Sequence, residues 1–305
     1  MKNRFDIRRT LALVAIALPA PAFAWQAPPA APAAPSAPTT PAAPAAPAAP
    51  ARPATPAAPA GPRAIAFEGE KPSAKEIFTK HLDAIGGAKA MKSKESMVAN
   101  GSMEIPAAQL KGSMRTVARV PASVVIAMDL PGIGATSSGF DGTTGWTVDP
   151  MRGPSIMSAK EVAQVRRDGD FLRDLRLAEE PEGEVTGLFD FEGKPCWAVT
   201  VPGRDGAAAT QNYYERESGL MRGMSMTAST PMGELPVTVV TDEYKDFGGI
   251  KLATRTTTKV MGQVQVMTID AVEWNSAKDS DFDLPAEIKA LRDAAPATAP
   301  APKAP

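Results

Sequence analysis

Side chains capable of acid–base or nucleophilic chemistry are scarce in this sequence. Its 305 residues include one histidine, His81, and one cysteine, Cys196. His81 stands beside Leu82 in an amphipathic segment with no accompanying nucleophile motif, so we interpret it as a packing or surface residue. Cys196 lies in the strand-like run at residues 195–201, which predicts a small buried side chain and not a reactive thiol.

Motifs for catalysis, phosphate binding or metal binding are absent from the sequence. There is no G-x-S-x-G, H-E-x-x-H, Walker or G-x-G-x-x-G pattern. The acidic run Asp279, Asp281 and Asp283 lacks the glycine and closing glutamate of an EF-hand loop, which favours a solvated C-terminal segment over a calcium site. We therefore expect no catalytic residue, no cofactor-binding residue and no metal ligand.

Two segments have the pattern of amphipathic helices. Ser73 and Glu76 form a capping box ahead of apolar residues at helical spacing, and Gly86-Gly87 ends that helix. A second capping box, Ser158 with Glu161, opens a mid-chain helical insert at residues 158–177 with a break at Gly169. The apolar residues of this insert are the candidate lid: Val162, Val165, Phe171, Leu172 and Leu175.

The remainder of the central region alternates apolar and polar residues with a period of two. Five predicted strands precede the insert, between residues 96 and 148, and seven follow it, between residues 183 and 274. Glycine-rich turns such as Asp141-Gly142 and Ser218-Gly219 separate them, so consecutive strands should pair antiparallel.

An antiparallel sheet of this size must curl, split or close to remain soluble. We predict a mainly β (α+β) fold in which about 11–12 strands form an unclosed half-barrel. The N-terminal helix and the mid-chain insert are expected to cover its concave face.

Methionine is the most notable apolar residue of these strands. Thirteen of the 14 methionines lie within residues 63–291, together with all three tyrosines and three of the four tryptophans. Methionine side chains are flexible and repack around varied apolar guests, although ordinary core filling is the favoured interpretation of each one taken singly. The candidate apolar ligand cavity comprises Met103, Met114, Ile126, Met128, Trp146, Met224 and Met226.

The two ends of the chain differ from the centre. Residues 1–24 combine four basic residues, an apolar stretch and Ala22-Phe23-Ala24, which predicts a signal peptide cleaved after Ala24. Residues 25–62, with 13 prolines and 17 alanines, predict a disordered linker that is either a tether or a passive leader. A single folded domain is expected at 63–291 and a disordered Ala/Pro tail at 292–305.

Export to the periplasm and a mildly acidic product follow from this division. Without the leader's four basic residues and Asp6, the net charge falls from −1 to −4, which argues against a nucleic-acid partner. No apolar run after the leader approaches the ~20 residues of a spanning helix, so we expect no integral membrane segment in the mature protein.

Four stretches resemble a known family. They are GFDGTTGWTVDPMRGP at 139–154, GKPCWAV at 193–199, YYERESGL at 213–220 and YKDFGGIKL at 244–252. As a set they resemble outer-membrane lipoprotein-sorting proteins, relatives of the lipoprotein carrier LolA and of LppX-type lipid carriers. The resemblance spans about residues 73–285 and implies an unclosed barrel whose cavity shields acyl chains.

The expected function is therefore non-enzymatic. Composition, pattern and resemblance predict a periplasmic binding, transport or chaperone protein whose partners are a lipid or an acylated lipoprotein, with transient contacts to envelope membrane proteins. The alternative is a tethered envelope scaffold or interaction module with a closed core. An enzyme is the least favoured class.

Overall fold

The computed structural model describes residues 61–204, 207–230 and 233–294. The predicted signal peptide, nearly all of the predicted linker and the tail beyond residue 294 lie outside the described residues. Described structure begins just before Arg63 and continues to Ala294, three residues past the expected domain end.

Strands dominate the described chain. They are β1 (Arg63–Ile65), β2 (Ser96–Ile105), β3 (Leu110–Arg119), β4 (Ser123–Leu130), β5 (Gly134–Phe140), β6 (Gly145–Asp149), β7 (Gly153–Ile156), β8 (Glu184–Phe191), β9 (Lys194–Val201), β10 (Thr210–Glu215), β11 (Met221–Thr230), β12 (Gly233–Asp246), β13 (Lys251–Val260) and β14 (Gln263–Trp274). The α-helices are α1 (Ala74–Ala84), α2 (Gly87–Lys92), α3 (Ala159–Asp168), α4 (Arg173–Glu179) and α5 (Ala286–Ala294). Short 3₁₀ turns occupy Pro106–Ala108 and Asp279–Phe282.

All fourteen strands form one antiparallel sheet in the order β1-β8-β9-β10-β11-β12-β13-β14-β2-β3-β4-β5-β6-β7. The sheet is unclosed, with β1 and β7 at its edges, and β14 pairs with β2 in its interior. Short turns join neighbouring strands within each half, which is why sequential strands pair so regularly. The predicted fold class is confirmed.

Two strands were not expected from sequence, and both are edge strands. β1 has three residues and β7 has four, the latter containing Gly153 and Pro154. Such short segments carry little periodicity, and proline is tolerated in a sheet chiefly at its edge. The other twelve strands correspond to the twelve that the alternation predicts.

The two capping boxes form as the sequence predicts. Ser73 accepts a hydrogen bond from the Glu76 backbone at the start of α1, and Ser158 does the same for Glu161 at the start of α3. α3 ends at Asp168, Gly169 follows as its C-cap, and α4 completes the insert.

The sheet has two differently covered faces. We call the inner face the one that carries Met103, Met114, Met128 and Met224, because cross-strand registers place these residues on the same side. Helices α1 to α4 pack on the inner face. The outer face of β2 to β7 is covered by the C-terminal segment with α5.

Candidate ligand-binding face

Six of the seven predicted cavity residues share the inner face. The register joins Met103 to Met267 on β14, and Met114 to Met128 on β4. Through β12 to β14 the same side continues to β11. The six residues are Met103, Met114, Ile126, Met128, Met224 and Met226.

Trp146, the seventh, lies on the outer face. It pairs with Gly139, which in turn pairs with Val125, and Val125 alternates with the inner-face residue Ile126. Its ring packs against Leu284 and Ile288 of the C-terminal segment. A side chain on Gly139 would come within 2.5 Å of the ring, so the glycine makes room for the tryptophan. Trp146 is therefore separated from the other candidates by the thickness of the sheet.

A methionine cluster occupies the central strands of the inner face. Met103, Met114 and Met128 are buried, and Met267 packs against them. Each of two methionines faces a glycine across the strands: Met103 faces Gly112, and Met114 faces Gly101. A Cβ at either glycine would collide with a neighbouring backbone carbonyl, so only glycine fits there. Large flexible side chains thus alternate with positions that have no side chain.

A second apolar cluster continues this surface towards β11. Leu235, Val237, Val239 and Val260 are buried together, with Met224 and Met226 packed against them. Among the described residues, this cluster and the methionine cluster consist of strand side chains alone.

Helices cover the inner face on either side of these clusters. On β8 to β11, Val199 and Tyr214 pack with Ile77 and Phe78 of α1 and with Leu175 of α4. On β3 to β5, Val124 and Phe140 form another cluster with a helix, in this case α3.

The candidate lid residues bridge these two covered regions. Val165 is buried against β3 to β5, where Val162 and Phe171 also pack. Leu175 is buried in the α1 cluster, with Leu172 packed against it. The Phe171 ring also lies 5.8 Å from that of Trp274 at the end of β14. The insert thus reaches from one half of the sheet to the other.

Buried polar groups on the inner face were not predicted from sequence. Asn212 and Tyr214 of β10 have buried polar atoms with no hydrogen-bond partner in the part of the chain that is described. Asn212 pairs with Val199 on one side and Met224 on the other, which places it on the inner face. Asparagine is depleted in strands, so its presence at position 212 is the sequence signal that could have indicated this polar site.

His81 is buried beside these polar groups. Its Nδ1 lies 3.0 Å from the carbonyl oxygen of Gly219, and its Nε2 lies 3.6 Å from Asp174 of α4. Burial raises the pKa of Asp174, but the contact with His81 and the charges of His81, Arg173 and Arg176 outweigh it and hold that pKa below its usual value. His81 therefore connects α1, the β10–β11 turn and α4 as a packing residue.

The other chemically interesting side chains lie away from the inner face. Cys196 is buried on the opposite side of β9 with Phe191 and Tyr213. Burial, assisted by Glu215, raises the pKa of its thiol to about 12.

In the C-terminal acidic run, Asp279 and Asp283 are exposed and Asp281 is half-buried. Asp279 and Asp281 accept hydrogen bonds from Arg119 and Arg115 of β3. A backbone hydrogen bond from Lys278 and the Arg115 guanidinium lower the pKa of Asp281. These ion pairs tie the segment to the outer face.

Neither a metal-binding cluster nor a membrane-spanning helix occurs within residues 61–204, 207–230 and 233–294. No group of three or more His, Cys, Asp or Glu side chains in these ranges has an arrangement that could hold a metal ion. No helix in these ranges has the length and apolar character needed to cross a bilayer.

Comparison with known proteins places the fold. No protein-family model and no curated protein matches the sequence. A LolA superfamily protein from Nitrosomonas europaea matches with a TM-score of 0.50 at 11% identity, covering 70% of this chain and 99% of that protein. The chain thus has a LolA-like fold.

Two further solved structures are similar. A DUF1329 family protein from Desulfovibrio piger gives a TM-score of 0.48 at 12% identity over 69% of this chain and 97% of that one. An outer membrane lipoprotein-sorting protein domain from Vibrio parahaemolyticus gives 0.47 at 12% identity over 68% and 95%.

Proposed function

We propose that this protein is a non-enzymatic periplasmic carrier that binds a hydrophobic ligand, either a lipid or the acyl chains of a lipoprotein. The observation that carries this proposal is a mostly apolar surface of the inner face, formed by two clusters of strand side chains. This surface, the methionine-rich strip, runs from Met103, Met114 and Met128 across Thr256 and Thr258 of β13 to Met224 and Met226. Helices cover the inner face on both sides of it.

The energetics permit such a ligand. At ~0.8 kcal/mol per buried methylene, an acyl chain of about fifteen carbons contributes about 12 kcal/mol, against an association cost of ~4–15 kcal/mol. Methionine suits this role because its unbranched thioether side chain adapts to different chain shapes.

The helical insert is the proposed lid. It contacts both halves of the sheet, with Val165 of α3 packed on β3 to β5 and Leu175 of α4 packed in the α1 cluster. Movement of α3 and α4 away from the sheet would open the strip between them, and their return would exclude water from the bound chain.

The location and the terminal segments belong to the same proposal. A signal peptide cleaved after Ala24 would deliver the protein to the periplasm. The 25–62 linker would act as a tether for the folded domain. The LolA-like fold supports an envelope location. Donor and acceptor partners would be contacted transiently.

A binding assay and native mass spectrometry test the proposal. Purified protein should bind a fluorescent fatty acid, and native mass spectrometry of protein taken from its own envelope should reveal co-purified lipid. Met114→Gln keeps the length of a buried inner-face side chain but makes it polar, so the affinity should fall about tenfold. The matched control is Met151→Gln at a side chain that is 84% exposed, and it should bind as the parent does.

The rival is a scaffold whose inner face is packed shut. It is favoured by one observation, that Met103, Met114 and Met128 are already buried without a ligand. If the purified protein contains no lipid and does not bind the fluorescent fatty acid, the carrier proposal is rejected and the scaffold proposal remains.

A further inference from the structure

Asn212 and Tyr214 form a polar pair in the apolar inner face. The Asn212 side chain is fully buried at 0% exposure, and neither its amide oxygen nor its amide nitrogen has a partner among the described residues. Tyr214, two residues along β10, is 1% exposed and its hydroxyl is likewise unpartnered. Folded proteins pair nearly all such groups, so an unpaired pair in this position points to a missing partner.

The position of the pair connects it to the proposed binding strip. Asn212 lies directly across from Met224, which packs against both the α1 cluster and the β11–β13 cluster. The Tyr214 ring is held edge-on by Phe78 at 5.7 Å and by His81 at 5.1 Å. The two polar ends are therefore fixed at the border between the helix-covered region and the methionine-rich strip.

Burial dominates the electrostatics of Tyr214. Burial raises the pKa of Tyr214, and the effects of the nearest charges, Arg173 and Asp174, oppose one another. The Asn212 amide opposes the rise as a nearby hydrogen-bonding group, although no hydrogen bond joins the two side chains in this structure. Because a group bound at this depth loses its hydration, the site would bind an ionised phosphate or ammonium poorly.

The hydrogen-bonding pattern defines a complementary group. A carboxamide donates from its nitrogen and accepts at its oxygen, and a tyrosine hydroxyl can do either. The matching ligand group is uncharged and has a donor next to an acceptor. An amide or a protonated carboxyl has this arrangement, whereas an ester has acceptors alone.

We propose that Asn212 and Tyr214 bind the amide or protonated carboxyl group of an acyl ligand, deep on the inner face. This inference rests on the proposed carrier function and specifies the chemical class of its ligand. The hydrocarbon chain then extends from Met224 along the methionine-rich strip.

Two probes with the same hydrocarbon chain test the inference. Oleamide has a donor and an acceptor, and methyl oleate has acceptors only. In competition with a fluorescent fatty acid, the parent protein should bind oleamide about tenfold more tightly than methyl oleate. Asn212→Leu should remove this preference by weakening oleamide about tenfold, while methyl oleate changes less than twofold.

Additional variants distinguish loss of the polar contact from misfolding or a general loss of affinity. Tyr214→Phe removes only a hydroxyl and should reduce the oleamide preference about threefold. Thr258→Val, at a buried inner-face hydroxyl that lies outside this pair, should leave the preference unchanged. Thermal melting should show that ligand-free Asn212→Leu is at least as stable as the parent, because an unpartnered buried amide is gone.

The outcomes are distinguishable. If both oleyl probes bind but the parent shows no preference, or if Asn212→Leu and Tyr214→Phe retain the preference, the inference is overturned and the carrier function stands. An internal water satisfying Asn212 would produce this second result. If neither probe binds, the inference and the proposed function both fail.

Discussion

Asp168 is the last residue of α3, and one oxygen of its carboxylate is buried. One oxygen accepts a hydrogen bond from Gln164 at 2.7 Å, and the other is buried without a partner among the described residues. Burial raises the pKa of Asp168 to about 7, against the opposing effects of Gln164 and Arg167. Its charge state therefore changes near neutral pH, within the proposed lid.

The pH dependence of stability follows from that shift. Between pH 4 and pH 7 the folded protein retains a proton on Asp168 that the unfolded chain has released, because the usual pKa is 3.8. The free energy of unfolding should therefore decrease as pH rises through this window and become constant above it. Asp168→Asn should increase that free energy by about 1–3 kcal/mol at pH 8 and leave it nearly unchanged at pH 4.

Urea unfolding at the two pH values measures this effect. The matched control is Asp83→Asn, which also lies near the C-terminal end of a helix, α1, but is exposed. Equal changes for the two variants at pH 8 would contradict the burial of Asp168 as the cause.

At the residue scale, sequence predicted apolar positions better than polar ones. Ile126 and the methionines follow a period of two, so their common face is set by strand geometry. Asn212 follows the same alternation, but its lack of a partner depends on side chains from other strands and from α1. No local pattern in the sequence carries that information.

At the scale of elements, α3 is held against the sheet by a very close approach. A Cβ on Gly169, the C-cap of α3, would come within 2.7 Å of the Val124 Cβ on β4. Gly169 has a φ of −87°, so its backbone would accept alanine and only the contact forbids it. The absence of a side chain at residue 169 therefore sets the distance between lid and sheet.

A double-mutant cycle tests this contact. Gly169→Ala should destabilise the protein by about 1–3 kcal/mol through overpacking, and Val124→Ala by a similar amount through a cavity. The double variant should lose less stability than the sum, because the alanine methyl fills the space that Val124 vacates. Gly169→Ala alone should also accelerate exchange of a fluorescent fatty acid.

Chemical denaturation and stopped-flow exchange supply the two measurements. Strictly additive stabilities would mean that residues 124 and 169 do not touch in solution. Unchanged ligand exchange in a destabilised Gly169→Ala protein would argue against α3 as a lid.

The existence of α1 and α3 was predictable because each begins with a capping box. α5 was not expected, since its nine residues follow an acidic stretch and adjoin the Ala/Pro tail. Its position depends on Ile288, which is buried in a cluster with Trp146 and Leu284.

At the scale of the whole molecule, the sheet serves different roles on its two faces. Helices α1 to α4 and the methionine-rich strip occupy the inner face, and the C-terminal segment covers part of the outer one. Phe282 and Ile288 are buried there, next to Val117 and Trp146 respectively. Stability and ligand binding should therefore be separable by mutation.

Two substitutions on α5 test this separation. Ile288→Ala, at a side chain with 0% exposure, should lower the free energy of unfolding by about 2–4 kcal/mol. Leu291→Ala, on the same helix but 40% exposed, should change it by less than about 0.5 kcal/mol. Both folded variants should retain the parent affinity for a fluorescent fatty acid.

Denaturant midpoints and binding titrations at a temperature where both variants are folded complete this experiment. A loss of affinity in Ile288→Ala comparable to that of Met114→Gln would mean that the two faces are coupled, contrary to this division of roles.

The sequence by itself determined the number and order of the long strands, the two capped helices and the side-chain alternation along each strand. These follow from local periodicity, capping and turn chemistry, which involve neighbours in the chain. The tertiary structure decided which side of the sheet the helices cover, which placed Trp146 outside and Asn212 inside. Such assignments depend on cross-strand register and on contacts between residues far apart in sequence, since a side chain's alternation does not specify what lies above it.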